Sequence, residues 1–135
     1  MKPTIVYRAF HHDDDELWRS IGKYGYDPKI RSELGGIMSS DDSTYWIVAM
    51  SDSVVAGFAA LKEGKRMLSH LYVFPEFRQR GIAGELIELR IKLARSLRLP
   101  YLKVAVRPNR IKHYEGLGFT ELYTRGKWHW MRLDL

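Results

Sequence analysis

The chain contains no cysteine, which excludes disulfide bridges, a thiol nucleophile and a cysteine-ligated metal. It also has no apolar run long enough to span a bilayer, and its first residues lack the apolar stretch of a signal peptide. Repeats, low-complexity tracts and linkers are likewise missing. In a chain of 135 residues that is 45% hydrophobic, these absences predict one globular domain, residues 1–135, located in the cytoplasm with no membrane or metal partner.

Positive charge is concentrated in the second half of the chain. Residues 1–65 carry 8 Lys and Arg against 10 Asp and Glu, a net charge of −2, whereas residues 66–135 carry 14 against 6, a net charge of +8. This excess is compatible with a solubilising surface, with a multiply anionic cofactor or with nucleic acid. Aromatic residues are not interleaved with the basic ones as a stacking surface for single strands requires.

Apolar periodicity and turn residues predict a strand, two helices, three strands, a long helix, a strand, a short helix and a final hairpin. The long helix is predicted from Ile82 to Leu97, because its apolar residues fill one broad face. Arg90 falls in the middle of that face, where its stem can pack while its guanidinium reaches a carboxylate or a carbonyl. No function follows for Arg90. The order of elements predicts a mixed sheet flanked by helices, an α/β (α+β) fold.

The turn between the fourth predicted strand and the long helix has the residues of an anion-binding site. Residues 71–84 read LYVFPEFRQRGIAG. Pro75 ends the strand because proline has no N–H to donate, and Gly81 and Gly84 allow close approach of the main chain to a ligand. The free N–H groups of the helix start, with Arg78 and Arg80 nearby, suit a polyphosphate. An ordinary strand-to-helix turn is the competing interpretation.

A second group of polar residues follows the predicted strand Tyr101–Val106. Asn109 comes soon after the strand, and Tyr114 lies about one helical turn further on, so both can face a cleft beside the turn. A tyrosine hydroxyl, with an unperturbed pKa of about 10, is a weak acid that can protonate a leaving thiolate. Packing of Tyr114 at the edge of the core, beside Leu117 and Phe119, is the alternative.

These two segments resemble the GCN5-related N-acetyltransferase (GNAT) family. Residues 78–84, RQRGIAG, are similar to the acetyl-CoA motif R/Q-x-x-G-x-G/A, and residues 113–119, HYEGLGF, resemble a later segment ending Y-E-x-L-G-F. The order of elements matches over nearly the whole chain. The resemblance implies a mostly antiparallel mixed sheet of about six to seven strands with about four helices, splayed in the middle to hold acetyl-CoA. It also implies acetyl transfer to a primary amine by direct attack.

The resemblance implies roles for individual residues. Tyr114 would act as general acid on the departing thiolate, and Asn109 would contact the cofactor. The diphosphate would bind main-chain N–H groups of the turn, and the pantetheine arm would lie along the preceding strand. The implied cofactor-binding residues are Leu71, Tyr72, Val73, Arg78, Gln79, Arg80, Gly81, Ile82, Ala83 and Gly84, besides Asn109. The implied acceptor is a small-molecule or protein amine, and pairing of subunits in the family implies a homodimer.

The chain departs from the family pattern in four places. Ala83 stands where glycine is commonest, Asn109 is closer to Tyr114 than usual, and His113 replaces a customary apolar residue next to the tyrosine. The strand before the turn begins MLSHL, at residues 67–71, and has no acidic residue that could deprotonate the amine. Because an alkylammonium titrates at about 10, the attacking amine must lose a proton.

His70 is the first candidate for the general base, directly or through a water molecule. Strand alternation predicts His70 and Tyr72 on one face of the sheet, with Ser69, Leu71 and Val73 on the other. A structural histidine on a half-exposed face is the alternative.

Aromatic residues of the early helices and the second strand are predicted to wall the acceptor site, unless core packing takes them: Trp18, Tyr26 and Trp46. Two other functions stay open. An acceptor amine carried on nucleic acid, such as aminoacyl-tRNA or a modified base, is favoured by the basic second half. A non-catalytic acyl-CoA-binding regulatory domain is favoured by the missing carboxylate.

Overall fold

The computed structural model describes residues 4–135, so Met1, Lys2 and Pro3 of the predicted domain lie outside it. The described part contains seven strands and four α-helices. In chain order these are β1 Ile5–His11, α1 Asp15–Ile21, α2 Pro28–Leu34, β2 Thr44–Ser51, β3 Val54–Lys62, β4 Met67–Val73, α3 Ile82–Ser96, β5 Tyr101–Val106, α4 Ile111–Gly116, β6 Thr120–Arg125 and β7 Trp128–Asp134. The predicted order is confirmed, with small shifts of the boundaries. None of these helices has the length and apolar character needed to cross a membrane.

Capping residues explain where the early helices begin and end. Asp14 and Asp27 accept main-chain N–H groups from the first turns of α1 and α2, which satisfies donors that have no partner within the helix. Pro28 occupies the first turn of α2, and Gly35 ends it in the left-handed conformation, with φ of 82°. These signals are local, and they direct α1 and α2 across the sheet.

The sheet has the strand order β1-β2-β3-β4-β5-β7-β6. All neighbours are antiparallel except β4 and β5, which are parallel. β4 and β5 pair only through Met67 with Lys103 and Leu68 with Val104. Beyond Leu68 they are no longer paired, so the sheet is splayed in the middle, as predicted.

Helices cover both faces of the sheet. Leu17, Ile21 and Ile30 of α1 and α2 pack with Trp46 and Phe58 on one face. On the other face α3 and α4 pack against the sheet, where the buried side chains are Leu68, Ile82, Leu86, Ile87, Ile91, Leu102, Val104, Val106 and Tyr114. Each fully buried side chain of this size contributes about 1.5–3 kcal/mol to the free energy of unfolding, so both layers hold β4 in place.

The regular alternation predicted for β4 is wrong at the middle of the strand. Phe58 of β3 pairs with Tyr72, whereas Ala60 pairs with Ser69, so β4 contains one extra residue between the two pairs. His70 adopts a left-handed conformation, with φ of 55°. This is a β-bulge, which interrupts the period of two. It places Ser69 on the same face as Ala60, Phe58 and Tyr72, because cross-strand partners share a face.

Candidate active site

A cavity of about 970 Å³ opens where β4 and β5 separate. Its walls are β4, the turn before α3, the first half of α3, the end of β5 and residues 107–114. The end of α2 and Trp128 complete the lining. A Cβ on Gly35 would lie 2.6 Å from Cζ2 of Trp128, so the end of α2 is in direct contact with the β6–β7 hairpin. The cavity therefore runs between the two halves of the sheet.

The turn between β4 and α3 presents unpaired main-chain donors to this cavity. Gln79 and Gly81 both have positive φ, 62° and 79°, and Gly81 begins α3 without a side-chain cap. The first α-helical bond is donated by Glu85 to the Gly81 carbonyl, at 3.1 Å, and the N–H groups of residues 79–84 donate to no main-chain acceptor within residues 4–135. Free donors at the positive end of a helix dipole form an anion site.

The two arginines of the turn are engaged with the protein itself. Arg78 donates from Nε to the Val73 carbonyl at 2.8 Å and from Nη2 to Glu33 of α2 at 2.7 Å. The guanidinium of Arg80 lies 5.4 Å from the centre of the Phe77 ring, and Arg80 does not line the cavity. Arg78 lines the cavity, and contact of these two side chains with the cofactor stays a prediction. The free donors of the turn are main-chain groups, and Arg78 joins the end of β4 to α2.

The other residues predicted to contact the cofactor line the cavity: Leu71, Tyr72, Val73, Gln79, Gly81, Ile82, Ala83, Gly84 and Asn109. Leu71 and Val73 also pack on the α3 side of the sheet. Because β4 has no partner strand beyond Leu68, its main-chain groups at this edge are available to an extended ligand. Asn109 lies in a short turn between β5 and α4, on the opposite wall.

Tyr114 is both packed and exposed to the cavity, so the two interpretations of this residue are compatible. The side chain is only 5% exposed, and its ring meets Phe119 edge to face with centroids 5.3 Å apart. Tyr114 also lines the cavity. Burial raises the pKa of its hydroxyl, while the positive charges of Arg90 and Arg110 oppose that rise. A neutral phenol is therefore the resting form at neutral pH.

Arg90 of α3 lies fully inside the protein beside this group. Its Nη1 donates to the Ala60 carbonyl at 2.9 Å and to the Ser69 carbonyl at 3.3 Å, and its Nε donates to the Leu86 carbonyl at 3.1 Å. The sequence-based expectation of a carbonyl partner is thus met. Burial lowers the pKa of Arg90 to about 10, so the side chain is still charged at neutral pH.

His70 lies at the bulge, and its environment argues against a role as general base. The ring stacks on Trp46, with centroids 5.7 Å apart and planes 9° from parallel. Its Nε2 accepts the Ser39 main-chain N–H at 3.2 Å. Burial, with the nearby charges of Lys62 and Arg90, lowers the pKa of His70 to about 4. A ring whose acceptor nitrogen is occupied and whose pKa is this low takes up a proton poorly at neutral pH.

The three aromatic residues predicted to wall the acceptor site, Trp18, Tyr26 and Trp46, lie outside the lining of this cavity. Trp46 is fully buried and donates from Nε1 to Ser40 at 3.0 Å, while Trp18 donates to the His12 carbonyl at 2.7 Å. Their rings pack edge to face in the core. Tyr26 is 85% exposed, at the end of a short turn between α1 and α2.

Several cavity residues were not identified from the sequence, namely Ser32, Leu34, Ser69, Arg107, Arg110, His113 and Trp128. Trp128 begins β7, and the guanidinium of Arg107 lies 5.2 Å from the centre of its ring. Local sequence carried no signal for Ser32, Leu34 and Trp128, because α2 and the β6–β7 hairpin come together only in the folded chain. Within residues 4–135 no three His, Asp or Glu side chains are grouped as a metal site requires.

Comparison with known proteins gives the class to which this site belongs. Residues 27–133 match the family model described as acetyltransferase (GNAT) domain. An acyl-CoA N-acyltransferase from Pseudomonas aeruginosa superposes with a TM-score of 0.80 at 14% identity, over 97% of this chain and 100% of that one. The PaiA N-acetyltransferase from Thermoplasma acidophilum, in complex with coenzyme A, gives 0.67 at 18% identity, over 98% and 99%.

A GNAT family acetyltransferase from Elizabethkingia anophelis with acetyl-CoA bound gives a TM-score of 0.65 at 12% identity, over 97% of this chain and 98% of that one. No curated protein matches the chain. The chain belongs to the GNAT acetyltransferase family, because the family model covers most of its length. The predicted family and fold class are confirmed.

Proposed function

We propose that this protein transfers an acetyl group from acetyl-CoA to a primary amine by direct attack. The observation that carries the proposal is one continuous cavity that joins the turn with the unpaired amides, at Gln79 and Gly81 to Gly84, to Tyr114 along the separated strands. Family membership supports acyl-CoA as the co-substrate. The complexes of two structural neighbours, one with coenzyme A and one with acetyl-CoA, support the same assignment.

In the proposed complex the turn binds the diphosphate of acetyl-CoA. Main-chain N–H groups of Gln79 and of Gly81 to Gly84 would donate to its oxygens, as helix N-termini do for phosphates. The pantetheine arm would lie between β4 and β5 and hydrogen-bond the main chain of β4 near Leu71 and Val73, where β5 no longer pairs with it. Asn109 would contact the arm from the opposite wall.

The proposed reaction uses one acid from the protein, the hydroxyl of Tyr114. The lone pair of the free amine attacks the thioester carbonyl carbon, and the nitrogen of the tetrahedral intermediate then loses a proton to water. The carbon–sulfur bond breaks when the intermediate collapses to the amide. Tyr114 donates its hydroxyl proton to the departing sulfur and recovers a proton from solvent. A positioned general acid of this kind contributes a rate factor of about 10²–10⁴.

The proton of the attacking ammonium is proposed to leave to solvent water. Among the described residues that line the cavity, Glu33 is the one with an acidic side chain, and its carboxylate accepts a hydrogen bond from Arg78. His70 is neutral at working pH and has its acceptor nitrogen occupied. The rate is therefore expected to rise with pH as the free amine becomes more abundant, until the hydroxyl of Tyr114 begins to ionise.

An acceptor amine attached to nucleic acid is the second candidate. The net charge of +8 in residues 66–135 favours it, and so does the position of Arg107 and Arg110 in the cavity lining. Binding of tRNA that weakens steeply with salt would support this candidate. The homodimer and the cytoplasmic location stay predictions.

The test is release of thiol from acetyl-CoA in the presence of a panel of amines, with mass spectrometry of the products. The panel should contain polyamines, aryl-alkyl amines, peptides with free N-termini and aminoacyl-tRNA. We expect thiol release that depends on one class of amine and yields an N-acetylated product. Binding of coenzyme A without turnover on any amine would instead support a regulatory acyl-CoA-binding domain.

A further inference from the structure

Arg90 is a buried charge that the transfer chemistry proposed above does not use. Its side chain is 1% exposed. The three hydrogen-bond acceptors it contacts are all main-chain carbonyls, and no ion pair between residues 4 and 135 involves it. A charge held in the core without a carboxylate destabilises the fold unless other groups solvate it. A feature of this kind in the middle of an otherwise apolar helix face needs a reason.

The first part of that reason is the bulge in β4. The shift of register between Phe58 and Ala60 leaves main-chain groups of β3 and β4 without their ladder partners. Arg90 bonds the carbonyls of Ala60 and Ser69, the pair that borders the bulge, through a single nitrogen. It thereby fastens the bulge to α3 at the point where β4 and β5 separate.

The second part is the hydroxyl of Tyr114. Nη1 and Nε are occupied by carbonyls, whereas Nη2 is buried and has no partner with hydrogen-bond geometry within the described chain. Arg90 and Tyr114 line the same cavity, and both are buried. The positive charge of Arg90 opposes the rise in the pKa of Tyr114 that burial causes.

We propose that Arg90 is a positioning residue of the acyl-transfer site, which fastens the β4 bulge and holds a positive charge behind the Tyr114 hydroxyl. The inference rests on the proposed role of Tyr114 as general acid. As Tyr114 gives its proton to sulfur, negative charge develops on the phenol oxygen. A positive charge already in place at a buried position stabilises that oxygen without rearrangement.

Other charged and titratable groups also lie near Tyr114, and their effect on its ionisation must be distinguished from the effect of Arg90. Arg110, before α4, also favours ionisation of the phenol. His113 is the adjacent residue of α4, with ring centroids 5.8 Å apart, and His70 lines the cavity from β4. From β5 and β7 the side chains of Val104, Val106 and Met131 belong to the same buried cluster as Tyr114. Arg90 is the one of these charges that is itself fully buried.

The experiment compares Arg90→Gln with Arg90→Lys in the full-length protein. The glutamine can still donate to one of the two carbonyls but carries no charge, whereas the lysine keeps the charge. Ionisation of Tyr114 is followed by ultraviolet difference titration against Tyr114→Phe in each background. This readout does not require turnover, so it separates the inference from the proposed function. Arg95→Gln, an exposed position on the same helix, is the matched control.

We expect Arg90→Gln to move the ionisation of Tyr114 to higher pH, and Arg90→Lys and Arg95→Gln to leave it near the wild-type position. We also expect kcat at neutral pH to fall about tenfold in Arg90→Gln, a part of the contribution of a general acid. If Arg90→Gln is folded and its Tyr114 titrates as in the wild type, the inference is overturned, even if stability falls. If Arg90→Gln does not fold, the decision rests on Arg90→Lys, which keeps the positive charge. A marked rise in the pH at which Tyr114 ionises in Arg90→Lys would also contradict the inference, because the charge would then have no effect on the phenol.

Discussion

The two ends of the cavity are built in different ways. The turn end uses main-chain N–H groups of consecutive residues, 79–84, at the start of one helix. The other end, the transfer end of the proposed reaction, is lined by side chains from separate elements, His70 on β4, Arg90 on α3 and Tyr114 on α4. The first arrangement depends on local conformation and tolerates changes of side chain. The second depends on tertiary packing, so each of its side chains can be tested individually.

Replacement of Tyr114 should produce the largest effect and should separate the two ends. Tyr114→Phe keeps the packing against Phe119 but removes the proton, so we expect kcat to fall about 10²–10⁴-fold. The dissociation constant of coenzyme A, measured by calorimetry, should stay within about twofold of wild type, since an unchanged ring leaves ground-state binding intact. Tyr123→Phe, at a half-exposed position on β6, is the control. Near-normal turnover of Tyr114→Phe would remove Tyr114 from the mechanism.

Replacement of Gly81 should act on the binding of coenzyme A, whereas replacement of Tyr114 should act on turnover. Gly81 has φ of 79°, and a Cβ added to it would have no neighbour within 4 Å, so the constraint there is conformational. A valine at this φ is strained by about 1–2 kcal/mol, and relief of that strain would rotate the amides of the turn. We expect the dissociation constant of coenzyme A to rise about tenfold, which corresponds to about 1.4 kcal/mol.

Gly25→Ala is the control for that change, because Gly25 has no positive φ and a Cβ there would also have no neighbour within 4 Å. Coenzyme A binding should be unchanged in it. Unaltered binding in Gly81→Val as well would mean that the turn does not hold the ligand.

The sequence predicted the turn end well and the transfer end incompletely, for a physical reason. The glycines and the proline of residues 75–84 act through φ and missing donors, which are properties of single residues. The bulge at His70 depends on how β3 and β4 pair, so alternation alone placed Ser69 on the wrong face. Arg90 was visible as a charge on an apolar face, but its carbonyl partners come from strands distant in sequence.

The acceptor side was the least predictable part. Trp18 and Trp46 carry indole donors that the chain satisfies internally, through the His12 carbonyl and Ser40, so they belong to the core. Trp128 lines the cavity because the hairpin folds back onto the end of α2 at Gly35. Neither fact can be read from spacing.

The smallest predicted effect concerns the pH dependence of stability. Burial lowers the pKa of His70 in the folded protein to about 4, below its unfolded value of about 6.5. The unfolded chain therefore binds a proton more readily, and stability falls as pH drops through this interval. His70→Gln removes this contribution, so denaturant unfolding should show a smaller loss of stability between pH of about 7 and about 5.

An equal loss in His70→Gln and wild type would show that His70 is not held in its neutral form. His70→Gln should also keep the wild-type dependence of rate on pH, since His70 does not act as the base in the proposed mechanism.

Amide chemical shifts measured during titration with coenzyme A test the central claim most directly, and a chain of 15.8 kDa suits the method. The account predicts that the N–H signals of Gln79 and of Gly81 to Gly84 move most, with saturation at one ligand per chain, because these donors acquire phosphate acceptors. Saturable binding that leaves those signals in place while others move would contradict it.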